Sequence, residues 1–110
     1  MLKNISLKIA ALLAFSVVSL SALAQTSYSN SNLTVTGAGV QEGVAFVQTS
    51  PIPTGSCNFN TIYIGQVTGN AGNAAAYATV LAAQLTGQQI SVSYTNTSGT
   101  CTYTLVQTGP

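Results

Sequence analysis

The most regular hydrophobic pattern in the chain lies between residues 73 and 94. In its first half, apolar side chains recur at three- and four-residue steps, which predicts a helix with Leu81 and Leu85 on its inner face. Asn73 is suited to cap the start of this helix, and Gly87 is suited to end it. The predicted outer face carries small, uncharged residues: Ala75, Ala76, Thr79 and Ala83.

Alternation of apolar and polar residues, bounded by turn-forming segments, predicts five short strands. They cover residues 33–36, 44–48, 61–64, 90–94 and 102–107. The glycines at 37 and 39 indicate a bulge or hairpin turn rather than a phosphate loop, because no helix follows them. The predicted order is therefore three strands, one helix and two strands. Its core is expected to combine the inner helix face with Ile62, Ile64, Ile90, Val92 and Leu105.

The first 24 residues have the pattern of a signal peptide. Lys3 and Lys8 precede an apolar run over 9–20, and the run ends at the cleavage-type sequence Ala22-Leu23-Ala24. An uncleaved N-terminal anchor is the alternative interpretation. The sequence thus predicts a signal peptide over 1–24, a flexible lead-in over 25–32, a domain over 33–110, and export to the periplasm or the extracellular space.

Charge limits the chemistry of the remaining residues. Residues 25–110 contain no Lys, Arg, His or Asp, and Glu42 is their one acidic residue. General acid–base catalysis, a two-carboxylate glycosidase pair and a metal cluster all need groups that this segment lacks. Nucleic-acid binding needs cations for the phosphates. We therefore expect no enzyme, no cofactor, no metal, no nucleic-acid partner and no membrane span after cleavage.

Five strands with a helix between the third and fourth is the element order of an OB-fold, a five-stranded Greek-key barrel that is mainly β with one helix. In that barrel the third and fifth strands run parallel, so their starting ends are adjacent. Cys57 precedes the third predicted strand and Cys101 opens the fifth. An exported protein should oxidise this pair, and the disulfide would stabilise so small a core by roughly 4 kcal/mol.

The chain resembles small exported proteins similar to the B subunit of subtilase cytotoxin, in the AB5 toxin class. The resemblance covers about 33–107 and rests on Gly55-Ser56-Cys57, the strand with Tyr63, the helix over 76–87, the strand over 90–94 and Cys101. It implies an OB-fold, a pentameric ring and binding of cell-surface glycans. No sugar-contacting residue of that family is carried over to a position of this sequence.

Three hypotheses for function remain open. The first is a non-catalytic recognition module that binds a glycan or glycoprotein, with Phe59 and Tyr63 as candidate ligand-contacting residues because they lie near the proline-rich loop. Tyr77 and Tyr94 fit the core instead. The second is a structural or self-assembling periplasmic or extracellular protein without a specific small ligand. The third is an inhibitor or chaperone-like factor that presents the loop Pro51-Ile52-Pro53.

Overall fold

The computed structural model describes residues 25–109, so the predicted signal peptide and Pro110 lie outside the described residues. Five strands, one helix and a short 3₁₀ turn at Asn58–Asn60 follow one another along the chain. They are β1 (Thr26–Gln41), β2 (Val44–Ser50), β3 (Thr61–Gln66), α1 (Ala71–Thr86), β4 (Ile90–Thr97) and β5 (Thr100–Thr108). The mainly β composition with one helix, and the predicted order of these elements, are confirmed.

The strands close into a barrel in the order β1-β2-β3-β5-β4. Four of the strand pairs are antiparallel, and β3 with β5 is the parallel one. That parallel pairing is short, because only Ile62 with Cys101 and Tyr63 with Thr102 are matched. The predicted adjacency of the third and fifth strands is confirmed.

A disulfide joins Cys57 to Cys101, as the sequence predicts, with the two Cα atoms 5.5 Å apart. Both cysteines are buried, and Cys101 is one of the residues of the short β3–β5 pairing. The covalent link therefore reinforces the part of the barrel where strand pairing is shortest.

The segment 25–32, which the sequence predicts as a flexible lead-in, belongs almost entirely to β1 in the structure. Residues 26–30 pair with β4, from Thr26 opposite Asn96 to Asn30 opposite Val92, and after a register shift Leu33 lies opposite Ile90. The second half of β1 pairs with β2 and contains a bulge between Val35 and Gly37, which is one of the two forms expected for the glycine segment. Residues 26–32 are mostly Ser, Thr and Asn, so their sequence does not have the apolar alternation of a strand. Pairing with β4, rather than the burial of apolar side chains, holds this part of β1 in place.

Helix α1 begins earlier than predicted, because Asn70 rather than Asn73 is its cap. The Asn70 side chain accepts a hydrogen bond from the Asn73 backbone N–H at 2.9 Å. Gly87 ends the helix in the left-handed conformation, with φ of 72°, as expected. Asn73 instead ties the first turn to the barrel by donating to the Gln66 carbonyl and accepting from the Tyr103 hydroxyl.

The helix packs on the barrel with the face opposite to the predicted one. Ala76, Val80 and Ala83 are buried, whereas Leu81 is half-buried and Leu85 is 87% exposed. The prediction was wrong because alanine and other apolar residues occur on both faces and neither face carries a charge, so the helical period does not identify the inner side. The small side chains of Ala76 and Ala83 allow the helix to approach the strands closely, and Val80 fills the space between the helix and the strands.

Leu105 was also expected in the core, and the structure leaves it 53% exposed. The cause is a bulge in β5: Ser93 pairs with Leu105, but the next residue of β4, Tyr94, pairs with Tyr103. The extra residue reverses which side chains point inward, so Val106 packs against the core instead.

The centre of the barrel is filled mainly by aliphatic side chains. Ile62, Ile64, Ile90 and Val92 are almost completely buried, as predicted. Tyr94 is buried as well, and Tyr77 packs half-buried against the same cluster. The core therefore holds together the strands whose outer faces form the surface described next.

Candidate functional site: an aromatic cleft on the barrel wall

A cleft of about 380 Å³ lies on the outer wall of the barrel. We call it the aromatic cleft. Three aromatic rings and three polar side chains line it: Gln41, Phe46, Gln48, Phe59, Thr61 and Tyr63. The volume falls in the range of about 300–1,000 Å³ that is usual for small-molecule sites. Phe59 and Tyr63, the two sequence-predicted candidates, are thus brought together in one site.

Strand register fixes the floor of the cleft. Phe46 of β2 is the cross-strand partner of Tyr63 of β3, and Gln48 is the partner of Thr61. On the other side of β2, Phe46 faces Gly39 of β1. A Cβ atom at Gly39 would lie 3.0 Å from the Phe46 Cζ atom, so the phenyl ring lies over the bare glycine backbone. Glycine at this position therefore leaves the space that the Phe46 ring occupies.

Phe59 enters the cleft from the 3₁₀ turn that precedes β3. Its φ of 58° and that of Asn60, 52°, lie in the left-handed region that phenylalanine rarely adopts. Nearby bonds hold this conformation: Asn60 N–H donates to the Cys57 carbonyl, and the Thr61 hydroxyl donates to the Phe59 carbonyl at 3.0 Å. The result is a ring that is 82% exposed on a constrained backbone. Such strain often marks functional positions.

The disulfide and a backbone bond anchor the same turn at its start. Cys57 immediately precedes it, and Asn58 N–H donates to the Gly99 carbonyl at 2.8 Å. The turn is thereby fixed to the β4–β5 hairpin as well as to β3. The position of Phe59 consequently depends on contacts from two parts of the barrel.

The polar side chains of the aromatic cleft differ in whether they already form hydrogen bonds within the protein. The Gln48 side-chain N–H donates to the Thr61 hydroxyl at 3.2 Å, so these two groups are partly engaged. Within residues 25–109, the Gln41 amide and the Tyr63 hydroxyl have no protein hydrogen-bond partner. Two neutral polar groups are therefore available to a ligand beside the aromatic rings.

The electrostatic character of this part of the chain is nearly neutral. Glu42, exposed in the turn between β1 and β2, is the one charged side chain among residues 25–109. Among those residues there is no cluster of three or more His, Cys, Asp or Glu side chains. The groups in the aromatic cleft can thus stack and hydrogen-bond, but none is a charged acid, base or metal ligand.

A second groove, of about 260 Å³, lies beside the proline-rich loop. Its Ser29, Asn30 and Thr54 side chains are hydrogen-bonded within the protein. The Tyr94 hydroxyl lies 2.8 Å from Asn30 Oδ1, and the Asn30 amide donates to the Thr54 hydroxyl. The loop is tied down further by the Thr49 hydroxyl, which donates to the Pro51 carbonyl. This groove is therefore better explained as the place where the loop is fastened to β1 and β4.

Sequence reasoning missed four lining residues: Gln41, Phe46, Gln48 and Thr61. Phe46 lies in the apolar run 44–47, where the ring could not be distinguished from its inward-facing neighbours Ala45 and Val47. The apolar run has no alternation of polarity that would mark Phe46 as outward-facing, and Gly39 lies opposite it only through the β1–β2 register.

Within residues 25–109, no helix has the length and apolar character needed to cross a membrane. Comparison of the chain with protein-family models, with curated proteins and with solved structures finds no match.

Proposed function

We propose that this chain is an exported, non-catalytic recognition module that binds a glycan in the aromatic cleft. The observation that carries the proposal is the grouping of Phe46, Phe59 and Tyr63 with free neutral polar groups on an outer wall. The resemblance to AB5 toxin B subunits supports the proposal, as does the element order of the closed barrel, which is the order expected of an OB-fold, a Greek-key barrel known for binding oligosaccharides. The predicted signal peptide would deliver the protein to the periplasm or the extracellular space.

Carbohydrate suits this surface on chemical grounds. A sugar ring presents an apolar face of C–H groups and a rim of hydroxyls. Aromatic rings supply large, rigid contact area for the apolar face at low conformational cost. Side-chain amides and a phenol can exchange hydrogen bonds with the hydroxyls. Phe59, which is exposed without a ligand, would lose the most water on binding and is the expected energetic centre of the contact.

A non-catalytic role follows from the side chains themselves. Glu42 is the only acidic residue and has no histidine, lysine or arginine in 25–109 to act with it. Hydrolysis of a glycosidic bond ordinarily uses two carboxyl groups, one on each side of the bond. We therefore propose that a bound sugar is released without chemical change.

The proposal is tested by titrating the mature protein with neutral oligosaccharides in a calorimeter and comparing two variants. Phe59→Ala removes an exposed ring from the cleft, and Leu85→Ala removes an equally exposed apolar side chain from α1. Binding should weaken roughly tenfold in Phe59→Ala and stay unchanged in Leu85→Ala. Equal affinity in both variants would place the ligand elsewhere, and no binding by the unaltered protein would remove the glycan hypothesis.

Self-assembly is the second candidate function, and one observation favours it. The outer helix face of α1 is exposed and uncharged; it consists of Ala74, Ala75, Ala78, Ala82 and Leu85. Solvent-facing helices usually carry charges, and exposed apolar patches often contact other proteins. We propose a second copy of this chain as the partner, because a nearly neutral domain has little self-repulsion. The resemblance adds a pentameric ring as the expected form.

Sedimentation at increasing concentration tests this second candidate. Leu85→Gln should shift the protein toward the monomer, whereas Phe59→Ala should not. Position 85 is therefore the test and position 59 the control in this experiment, the reverse of the glycan titration. A monomer at every concentration would rule out the self-assembly hypothesis while leaving the recognition module unaffected.

A further inference from the structure

We infer that the aromatic cleft selects uncharged glycans and rejects acidic ones, and that the sugar in the cleft is a neutral hexopyranose. This inference rests on the proposed glycan-binding function and specifies the class of ligand. It follows from three separate features of the structure: the charge of the described residues, the groups that line the cleft and the placement of its rings.

The first feature is the absence of a cation from residues 25–109, which contain no Lys, Arg or His. A carboxylate or sulfate on a sugar would lose water on entering the cleft, and an ion that loses water needs a charged or strongly donating partner. Among residues 25–109, the lining side chains whose donors have no protein partner are Gln41 and Tyr63, and both are neutral. Neutral hydroxyls lose less hydration, and these groups can replace it.

The second feature is the position of the one charge that is present. Glu42 follows Gln41 directly, and Gln41 lines the cleft. The carboxylate is exposed in the β1–β2 turn. Its negative charge therefore acts against an approaching anion, whereas it leaves a neutral sugar unaffected.

The third feature is the way the rings are arranged. Phe46 and Tyr63 are cross-strand partners in the barrel wall, and Phe59 projects from the neighbouring turn. A hexopyranose can place its C–H face against these rings and direct its hydroxyls toward Gln41 and the Tyr63 hydroxyl. A cleft of about 380 Å³ is near the lower end of ligand-site volumes, so it accommodates about one or two sugar rings rather than a long chain.

Paired titrations test the inference, because the second member of each pair carries an added acidic group or an added acidic sugar. Lactose is compared with sialyllactose, and N-acetyllactosamine with its sulfated form; cellobiose and maltose extend the neutral set. The neutral member of each pair should bind roughly tenfold or more tightly than the acidic one, with little change when salt is raised. Phe59→Ala should weaken neutral binding roughly tenfold, and Tyr63→Phe should weaken it less because the ring is retained.

Leu85→Ala serves as the control, and every variant is first checked for the native circular dichroism spectrum. Tighter binding of the acidic members would overturn the selectivity while leaving the recognition module in place. Neutral binding that is unaffected by both cleft variants would overturn the assignment to the aromatic cleft alone. Failure of every saccharide to bind at millimolar concentration would overturn the inference together with the proposed glycan function.

Discussion

Phe46 and Tyr63 are cross-strand partners that both face outward from the barrel wall. Their neighbours along the strands, Val47 and Ile62, are completely buried. Because successive side chains of a strand alternate between its two faces, the core is filled by the aliphatic residues and the two rings are left at the surface. The aromatic pair is therefore not needed to fill the core and is available for contact with a ligand.

Replacing Val80 by alanine should lower the free energy of unfolding by about 2 kcal/mol, because the side chain is fully buried between α1 and the barrel. Leu85→Ala is the matched control on the same helix and should change it by less than about 0.5 kcal/mol. Urea unfolding of both variants gives the comparison. A larger loss for Leu85→Ala than for Val80→Ala would show that the outer helix face is the one that packs.

This helix shows where the sequence was informative and where it was not. Its existence and its end at Gly87 followed from the 3.6-residue period and the need for a left-handed residue. The face of the helix that packs on the barrel could not be identified from the sequence, because no charged residue marked the face exposed to solvent. The predicted burial of Leu105 was wrong for a different reason. The bulge in β5 depends on pairing with β4, and no local sequence pattern indicates it.

The candidate site was predicted only in part. Phe59 and Tyr63 could be proposed because both lie near the proline-rich loop and Cys57 in the sequence. Their grouping with Phe46 required the β2–β3 register, which sequence periodicity does not determine. The left-handed backbone at Phe59 was likewise invisible, since phenylalanine is not a residue that favours it.

Removing the disulfide should destabilise the protein substantially. The bridge closes a loop of 44 positions and links β5 to the start of β3, where only two residue pairs join the strands. The double variant Cys57→Ala/Cys101→Ala should lose about 2–4 kcal/mol in guanidinium unfolding. The unaltered protein under reducing conditions should behave like the double variant. Equal stability with and without the bridge would contradict this expectation.

The Tyr94 hydroxyl should contribute measurably to stability. It is buried and lies 2.8 Å from Asn30 Oδ1 and 2.7 Å from the Thr54 carbonyl oxygen. Tyr94→Phe should cost about 1–3 kcal/mol because these acceptors lose a buried donor. Tyr63→Phe removes a hydroxyl without a protein partner in 25–109 and should cost less than about 0.5 kcal/mol. Thermal unfolding compares the two, and similar losses would argue against the buried network.

Phe59→Gly should make the protein more stable and less able to bind. Glycine adopts a φ of 58° without the penalty paid by phenylalanine, so we expect a gain of about 0.5–1 kcal/mol after the entropy of the unfolded chain is counted. Asn60→Gly is the control and should gain less, because asparagine tolerates this conformation. Denaturant unfolding and lactose titration are measured on the same samples. A loss of stability in Phe59→Gly would show that the ring serves the fold.

Amide chemical-shift mapping with a neutral disaccharide tests the central claim most directly. The ¹⁵N-labelled mature protein is titrated with lactose, cellobiose and maltose at low and high salt. We predict saturable shifts concentrated at Gln41, Phe46, Gln48 and residues 59–63, unchanged by salt and saturating at a roughly tenfold higher sugar concentration in Phe59→Ala. Shifts concentrated on α1 or beside the proline-rich loop, or no shifts with any of the three sugars, would contradict the assignment of the aromatic cleft as a neutral glycan site.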